Sequence, residues 1–272
     1  MTPPRSKMPF AKMEGCGNDY IYIDGIANRF PMERGGELAR AWSDRHFGIG
    51  ADGLIVLGRA ADGDDGCLRM SMWNADGSRG AMCGNGLRCL ARFAADAGYV
   101  RGREVRIATD AGPRAAELLV GDLVRVDMGT VSCGEARELE VAGEPWTFVP
   151  GDAGNPHVVT FVDEVDTAPV ERVGAAMQSH PAFADGVNVE FVQVLGADRF
   201  RQRTFERGSG ETLACGTGAA VAALAARRSG NIRGPVAHVE LRGGNLAVVG
   251  IGPALAIEGP ARTVYRGEIE LA

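Results

Sequence analysis

The stretches Ala81-Met82-Cys83-Gly84-Asn85-Gly86 and Leu213-Ala214-Cys215-Gly216-Thr217-Gly218 carry one design twice. Each sets a cysteine before a Gly-X-Gly step that runs into an apolar helical pattern: Leu87, Leu90, Ala91 and Phe93 after Cys83; Ala219, Val221, Ala222, Leu224 and Ala225 after Cys215. A thiol at a helix N-terminus meets the positive end of the dipole and unpaired N–H groups, where its pKa falls from ~8.5 toward ~3.5–7.5. Glycines there let a ligand approach the backbone, so each helix start is also an anion site. Two matched sites point to a pair of thiols acting on one small anionic substrate.

Working outward from the 132-residue offset between the cysteines, other blocks fall into order. Asn74-Ala75-Asp76-Gly77-Ser78 matches Glu206-Arg207-Gly208-Ser209-Gly210. Gly17-Asn18 resembles Gly154-Asn155, and Val124 to Gly129 resembles Leu255 to Gly259. A period this long means two similar domains rather than a solenoid. Each half reads as strands, an amphipathic helix (near 33–46 or 168–179), more strands, the Cys-led helix and strands again. Glu104 to Ala108, Glu117 to Val120 and Leu123 to Met128 alternate between Gly and Asp turns, as antiparallel strands do. Val131 to Pro150, with scattered Gly, Pro and charge, reads as the connector. The expected fold class is α+β: two pseudo-symmetric domains, residues 1–127 with 262–272 and residues 128–261. Each is a mostly antiparallel sheet or barrel rolled around one central helix, with the active site in the cleft between them.

Composition excludes several classes. The chain has 272 residues, 45% of them hydrophobic, and a net charge of −6. No basic stripe suits a nucleic-acid backbone. No apolar run is long enough to span a bilayer, and Met1 to Phe10 lacks the apolar core of a secretory signal, so a cytoplasmic protein is expected. None of the six cysteines forms a zinc spacing, and His46, His157, His180 and His238 are too scattered for a metal cage. Cys16, Cys67, Cys89 and Cys133 read as small apolar fillers. Of the 29 basic residues only Lys7 and Lys12 are lysine. The first reads as part of a Pro-rich tail and the second as the start of the first strand, neither a site for a Schiff base, so cofactor-free chemistry is expected. Gly48-Ile49-Gly50-Ala51-Asp52-Gly53 spells the dinucleotide fingerprint, but a helix precedes it and a strand follows, the reverse of what that fingerprint needs. It reads as a helix-to-strand turn. Neither Ser71 nor Ser78 sits in a nucleophile elbow.

Two thiols on one substrate suit the removal of a proton from one face of a carbon and its return to the other, one as base and one as acid. Helix N-termini would hold the α-carboxylate, where charge grows as the proton leaves.

Together with Gly15-Cys16-Gly17-Asn18-Asp19-Tyr20, Asn188-Val189-Glu190-Phe191 and Gly154-Asn155-Pro156-His157, these blocks resemble, in order and over residues 12–260, the motif series of the diaminopimelate epimerase family. The resemblance implies an epimerase that interconverts LL- and meso-2,6-diaminopimelate without pyridoxal phosphate, metal or other cofactor, on the bacterial route to lysine and peptidoglycan, and works as a homodimer. It implies Cys83 and Cys215 as the acid/base pair. Backbone N–H groups of Gly84, Asn85, Gly216 and Thr217 would hold the reacting carboxylate, with Asn18 at the reacting end. Asn74, Asn155, Asn188 and Arg207 would read the distal carboxylate, and Glu206 the ammonium groups. His157 and Glu206 would set thiol protonation. The chain departs from the family pattern at Cys16, usually aliphatic, at Tyr20, commonly Phe, and at Gly53, where some members place a glutamine near the substrate. The nearest rivals are another amino-acid racemase, a phenazine-biosynthesis-type isomerase, which the resemblance says lacks the cysteine pair, and a non-catalytic amino-acid binder.

Overall fold

The computed structural model describes residues 7–60 and 68–271, so Cys67 lies outside the described residues. The chain divides into two compact units. One runs to Val126 and resumes at Pro260; the other is Asp127–Gly259.

The first unit carries β1 (Lys7–Gly15), β2 (Asn18–Asp24), α1 (Gly35–Ser43), β3 (Gly53–Arg59), β4 (Leu68–Asn74), β5 (Arg79–Gly80), α2 (Gly84–Asp96), β6 (Glu104–Thr109), β7 (Gly112–Leu118) and the start of β8 (Leu123–Thr130). The second carries β9 (Ser132–Cys133), β10 (Arg137–Val141), β11 (Glu144–Asp152), β12 (Pro156–Phe161), α3 (Val170–Met177), β13 (Asn188–Gly196), β14 (Arg199–Glu206), β15 (Gly210–Thr212), α4 (Gly216–Arg228), β16 (Val236–Leu241), β17 (Gly244–Val249) and most of β18 (Ala254–Pro260). The last strand, β19 (Arg262–Glu270), belongs to the first unit and pairs antiparallel with β1.

Strand pairing repeats between the units. β2 runs parallel to β3, β3 antiparallel to β4 and β4 parallel to β6, with β6 and β7 forming a hairpin. In the second unit β12 runs parallel to β13, β13 antiparallel to β14 and β14 parallel to β16, with β16 and β17 forming a hairpin. Both Cys-led helices are 13 residues long and keep the 132-residue offset. The fold class is the expected α+β.

Each unit is built on its Cys-led helix. α4 is apolar nearly all round, and Gly218 to Ala226 are buried, as a core helix requires. It packs on β9, β11, β12, β13 and β17, and α2 packs on β1, β2, β3 and β7. The amphipathic helices cover other sheet surface: Leu38, Ala39 and Trp42 of α1 pack with Phe30, Leu54, Val56 and Trp73. Val170, Val173 and Met177 of α3 pack with Phe148, Val189, Phe191 and Phe205. β3 is thus buried on both faces, which explains its unbroken apolar run Leu54-Ile55-Val56-Leu57.

The Gly48–Gly53 stretch is the helix-to-strand turn expected, its N–H groups returning to the carbonyls of Trp42 and Ser43. Cys16 and Cys89 are buried and Cys133 is half-buried.

Four expectations are corrected. The supposed connector Val131 to Pro150 holds β9 and the β10–β11 hairpin, whose inward Leu139, Val141, Trp146 and Phe148 alternate with charges that hid the pattern. Its two-residue turn has Ala142 at φ 54° and Gly143 at φ 80°, the left-handed pair of a type I′ turn. The strand expected at Glu117 to Val120 instead starts at Gly112, because Thr109 and Gly112 close a tight turn across Asp110 and Ala111, and it ends at Leu118. Lys7 is a strand residue, not part of a tail, and pairs with Glu268 at the surface. Lys12 lies inside β1 rather than at its start. It is buried, paired with Asp19 and bonded to the carbonyl of Gly50.

Alanine pays a steric cost at φ 54° that asparagine bears better, and Asn-Gly is the preferred type I′ pair. Ala142→Asn is expected to stabilise the fold by about 0.5–1 kcal/mol, raising Tm by roughly 2–4 °C in a thermal melt. A lower Tm would contradict the turn assignment.

Candidate active site

In both units the cysteine is the N-cap of the central helix, in extended backbone conformation. Cys83 Sγ accepts from Gly86 N at 3.5 Å, and Cys215 Sγ from Gly218 N at 3.4 Å. A sulfur here takes the place that serine or aspartate oxygen takes in an ordinary cap. It receives one of the orphan N–H groups of the first turn, while those of Gly84 and Asn85, or Gly216 and Thr217, belong to the same turn.

Around Cys83 the first unit gathers Asn18, Tyr20, Asp52 and, beyond them, Asn74. The Cys83 thiol donates to Asn18 Oδ1 at 3.2 Å, and Asn18 Nδ2 donates to Asp52 Oδ2 at 2.7 Å. Asp52 also accepts from Asp19 N and from Arg45, which bridges it to Asp19. Burial disfavours the Asp19 carboxylate, but bonds from Arg45 and Lys12 outweigh it and hold that carboxyl below its ordinary range. Asp52 moves the other way, pushed up by burial and by the neighbouring Asp19 charge. Asn74 ends β4 opposite Gly53 and donates from Nδ2 to Ser78 Oγ at 2.9 Å. Ala75 N reaches Asp52 O, tying that turn to the Asp52 loop.

The second unit surrounds Cys215 with carboxylates and an imidazole. His157 Nδ1 lies 2.8 Å from Glu190 Oε1, and its Nε2 lies 3.0 Å from Asn155 Oδ1. Both partners of the His157–Glu190 pair are wholly buried. The other Glu190 oxygen is buried with no hydrogen-bond partner. Gly218 makes room for this pair: a Cβ there would sit 2.4 Å from Glu190 Oε1. Glu206 accepts from Thr212 Oγ1 and from the Cys215 thiol. Burial raises the Glu206 carboxyl above the usual range, with the Glu190 charge adding to it. Asn188 uses both polar atoms on main chain, Nδ2 to Pro156 O and Oδ1 from Arg207 N, each at 2.9 Å. It thereby joins the segments that carry Asn155, His157, Glu206 and Arg207. Arg207 is exposed, its guanidinium on Asp185 O at 3.3 Å.

The helix N-terminus does not lower the Cys215 thiol as expected. Burial drives its pKa well above the ordinary value, and the Glu206 and Glu190 charges push the same way; Thr217 and Gly218 only partly oppose this. Desolvation of a thiolate and two adjacent carboxylates outweigh one dipole end. His157, Glu190 and Cys215 bring ligand-type atoms within 4.8 Å of one another. Both ring nitrogens of His157 already face oxygen partners, so the set reads as a proton-holding cluster.

Sequence reading missed three residues. Asp52 was hidden in a motif read only as a turn. Glu190 sits mid-strand, where alternation does not say which face is lined by a helix. Tyr20 counted only as a departure.

Solved structures first place the fold. A PhzF-family phenazine biosynthesis protein from Bacillus anthracis aligns with TM-score 0.77 at 14% identity, over 98% of this chain and all of that one. A hydroxyproline epimerase from Agrobacterium vitis aligns with TM-score 0.73 at 17% identity, over all of this chain and 94% of that one. The architecture is therefore the fold these two proteins share. Sequence narrows it further. The diaminopimelate epimerase family model matches residues 10–133 and 151–267. A diaminopimelate epimerase from an Azoarcus species is 43% identical over 96% of this chain and 98% of its own. One from Leptospira biflexa is 39% identical over 97% of this chain and all of its own. The chain belongs to the diaminopimelate epimerase family.

Burial and the Glu206 and Glu190 charges together favour the protonated form of the Cys215 thiol. Its labelling by iodoacetamide, followed by peptide mapping, is expected to rise only on the alkaline side. Glu206→Gln, which removes a neighbouring negative charge, is expected to move that rise to lower pH. An unchanged or upward-shifted profile would remove Glu206 as the neighbour that sets this thiol.

Proposed function

We propose that the protein interconverts LL- and meso-2,6-diaminopimelate by two-base proton transfer at the α-carbon, with Cys83 and Cys215 as the acid/base pair. The observation that carries this reading is the duplicated thiol cap. Two units repeat one topology, and each presents a sulfur at the start of a buried helix, in a chain of this family. In one direction a thiolate takes the α-proton and the other thiol, still carrying its hydrogen, supplies one to the opposite face; the reverse reaction exchanges the roles. The raised Cys215 thiol suits the donor role, and Glu206 beside it suits the return of its proton.

Backbone N–H groups of Gly84, Asn85, Gly216 and Thr217 stabilise the reacting carboxylate as charge develops. Asn18 stands at the reacting end. The distal carboxylate falls to Asn74, Asn155, Asn188 and Arg207, with Glu206 also toward the ammonium groups and His157 among the groups that set protonation. The chemistry on this reading needs neither pyridoxal phosphate nor a metal. The two compact units serve as the two epimerase domains, and the protein works in the cytoplasm as a homodimer, in lysine and peptidoglycan precursor synthesis. Among the described residues no helix is long and apolar enough to cross a membrane.

Incubation with LL-diaminopimelate in deuterium oxide tests the reading, with deuterium expected at the substrate α-carbon as the meso isomer forms. A mere binder gives no exchange. Cys83→Ala and Cys215→Ala are each expected to lower epimerisation by ~10²–10⁴-fold with the fold intact; either variant retaining more than about a tenth of the rate sinks the two-thiol assignment. Arg207→Lys is expected to raise KM strongly at unchanged Tm, since lysine lacks the bidentate fork. Equal KM would take Arg207 out of the substrate site.

A further inference from the structure

Strand register makes Tyr20 and His157 counterparts. In the parallel pair β2–β3, Tyr20 stands opposite Gly53; in β12–β13, His157 stands opposite Asn188. Asn18 and Asn155 precede them by two residues, and each offers its Oδ1, Asn18 to the Cys83 thiol and Asn155 to the His157 ring. The first unit thus holds a phenol where the second holds an imidazole.

Tyr20 is buried, 5% exposed, and its hydroxyl interacts with Cys83 and with Asn18. Position 53 leaves the phenol its place. A Cβ on Gly53 would lie 2.9 Å from Tyr20 Cε1 and 2.2 Å from Trp73 O. The aromatic ring at position 20 therefore packs against the backbone at position 53.

Asn18 presents an acceptor, and no donor, to Cys83. Its Nδ2 is committed to the Asp52 carboxylate at 2.7 Å, and Asp52 is held in turn by Arg45 and by Asp19 N. Asn18 therefore turns its oxygen to the sulfur, an acceptor that suits the S–H form and offers nothing to a thiolate. Gly86 N–H is one donor to that sulfur, at 3.5 Å.

We propose that Tyr20 is a positioning residue for Cys83, its hydroxyl donating to the sulfur when the thiolate forms. This rests on Cys83 acting as acid and base. A hydrogen bond to the charged form favours that form, so Tyr20 offsets the bias of Asn18 toward the thiol. The phenol keeps its own proton throughout, because burial, and after it the Cys83 charge, raise its pKa well above the ordinary value. Other described titratable neighbours are engaged elsewhere. Tyr22 is buried with its hydroxyl on Gly86 O. Cys89 is pushed up to about 12 by burial. Asp52, Asp19 and Arg45 act through Asn18.

Tyr20→Phe removes one oxygen and keeps the ring. The rate of Cys83 alkylation by iodoacetamide, followed by peptide mapping from pH 6 to 10, is expected to shift alkaline by about one unit, a roughly tenfold slower reaction at neutral pH. Cys215 labelling in the same sample should not move. Steady-state epimerisation should lose about tenfold in kcat with KM within twofold, and Tm should hold within a few degrees. An unmoved Cys83 profile overturns the inference, and so does a loss confined to KM or to Tm. Labelling does not depend on turnover, so the two readings fail separately. A dead Cys83→Ala with an unmoved Tyr20→Phe profile refutes only the role of Tyr20. An active Cys83→Ala refutes the acid/base assignment beneath it.

Discussion

A sulfur atom accepting the N–H of the third residue of a buried helix is the contact on which each half of this molecule turns. It places the thiol at the end of an element that cannot shift, because that element is the core of its unit. Ala219 to Ala223 are wholly buried, and so are Leu87, Leu90, Ala91 and Ala94. Moving either sulfur by an ångström means moving a packed helix against several strands, which close packing resists. On the proposed reading the sulfurs must meet a carbon within fractions of an ångström, and so rigid a mount serves that end.

The two mounts are alike in backbone and unlike in what lines them. On β3 the side chain against the Gly86 position is Ile55, whereas on β13 the side chain against the Gly218 position is Glu190. One strand thus backs its helix with hydrocarbon and the other with a carboxylate held by an imidazole. Next to the sulfur, one unit sets a phenol and an amide and the other two carboxylates. The scaffolds are duplicated but their linings are not, and the carboxylates of the second unit help raise its Cys215 thiol. On the proposed two-base reading, which starts from one ionised and one protonated sulfur, such inequality favours one assignment of the two forms.

Much of this was legible in the chain. Both helix starts and the 132-residue repeat followed from Cys83, Cys215 and the apolar periodicity after them. The hairpin Arg137–Asp152 was not legible, because its exposed positions carry Glu, Arg and Pro and its turn begins with an alanine in a conformation that sequence rules assign to Gly or Asn. Asp52 acts through a side-chain bond to a residue 34 positions away, which no local pattern encodes. The raised Cys215 was missed for a related reason. Dipole arguments are local, but the burial and the two carboxylates that outweigh the dipole come from strands brought in by the fold.

The pairing of β19 with β1 carries a consequence for how the chain matures. Lys7 finds its partner at Glu270, almost the full length of the chain away. The unit Asp127–Gly259 is contiguous, whereas its sibling is closed by β19, which follows that unit in the chain. On a ribosome the second unit can complete its core while the first waits, its β1 edge unpaired, for β19 to emerge. The two copies of one architecture are therefore born in reverse order. A truncation of only the last ten residues would leave the older-looking, N-terminal half unfinished and the later half whole.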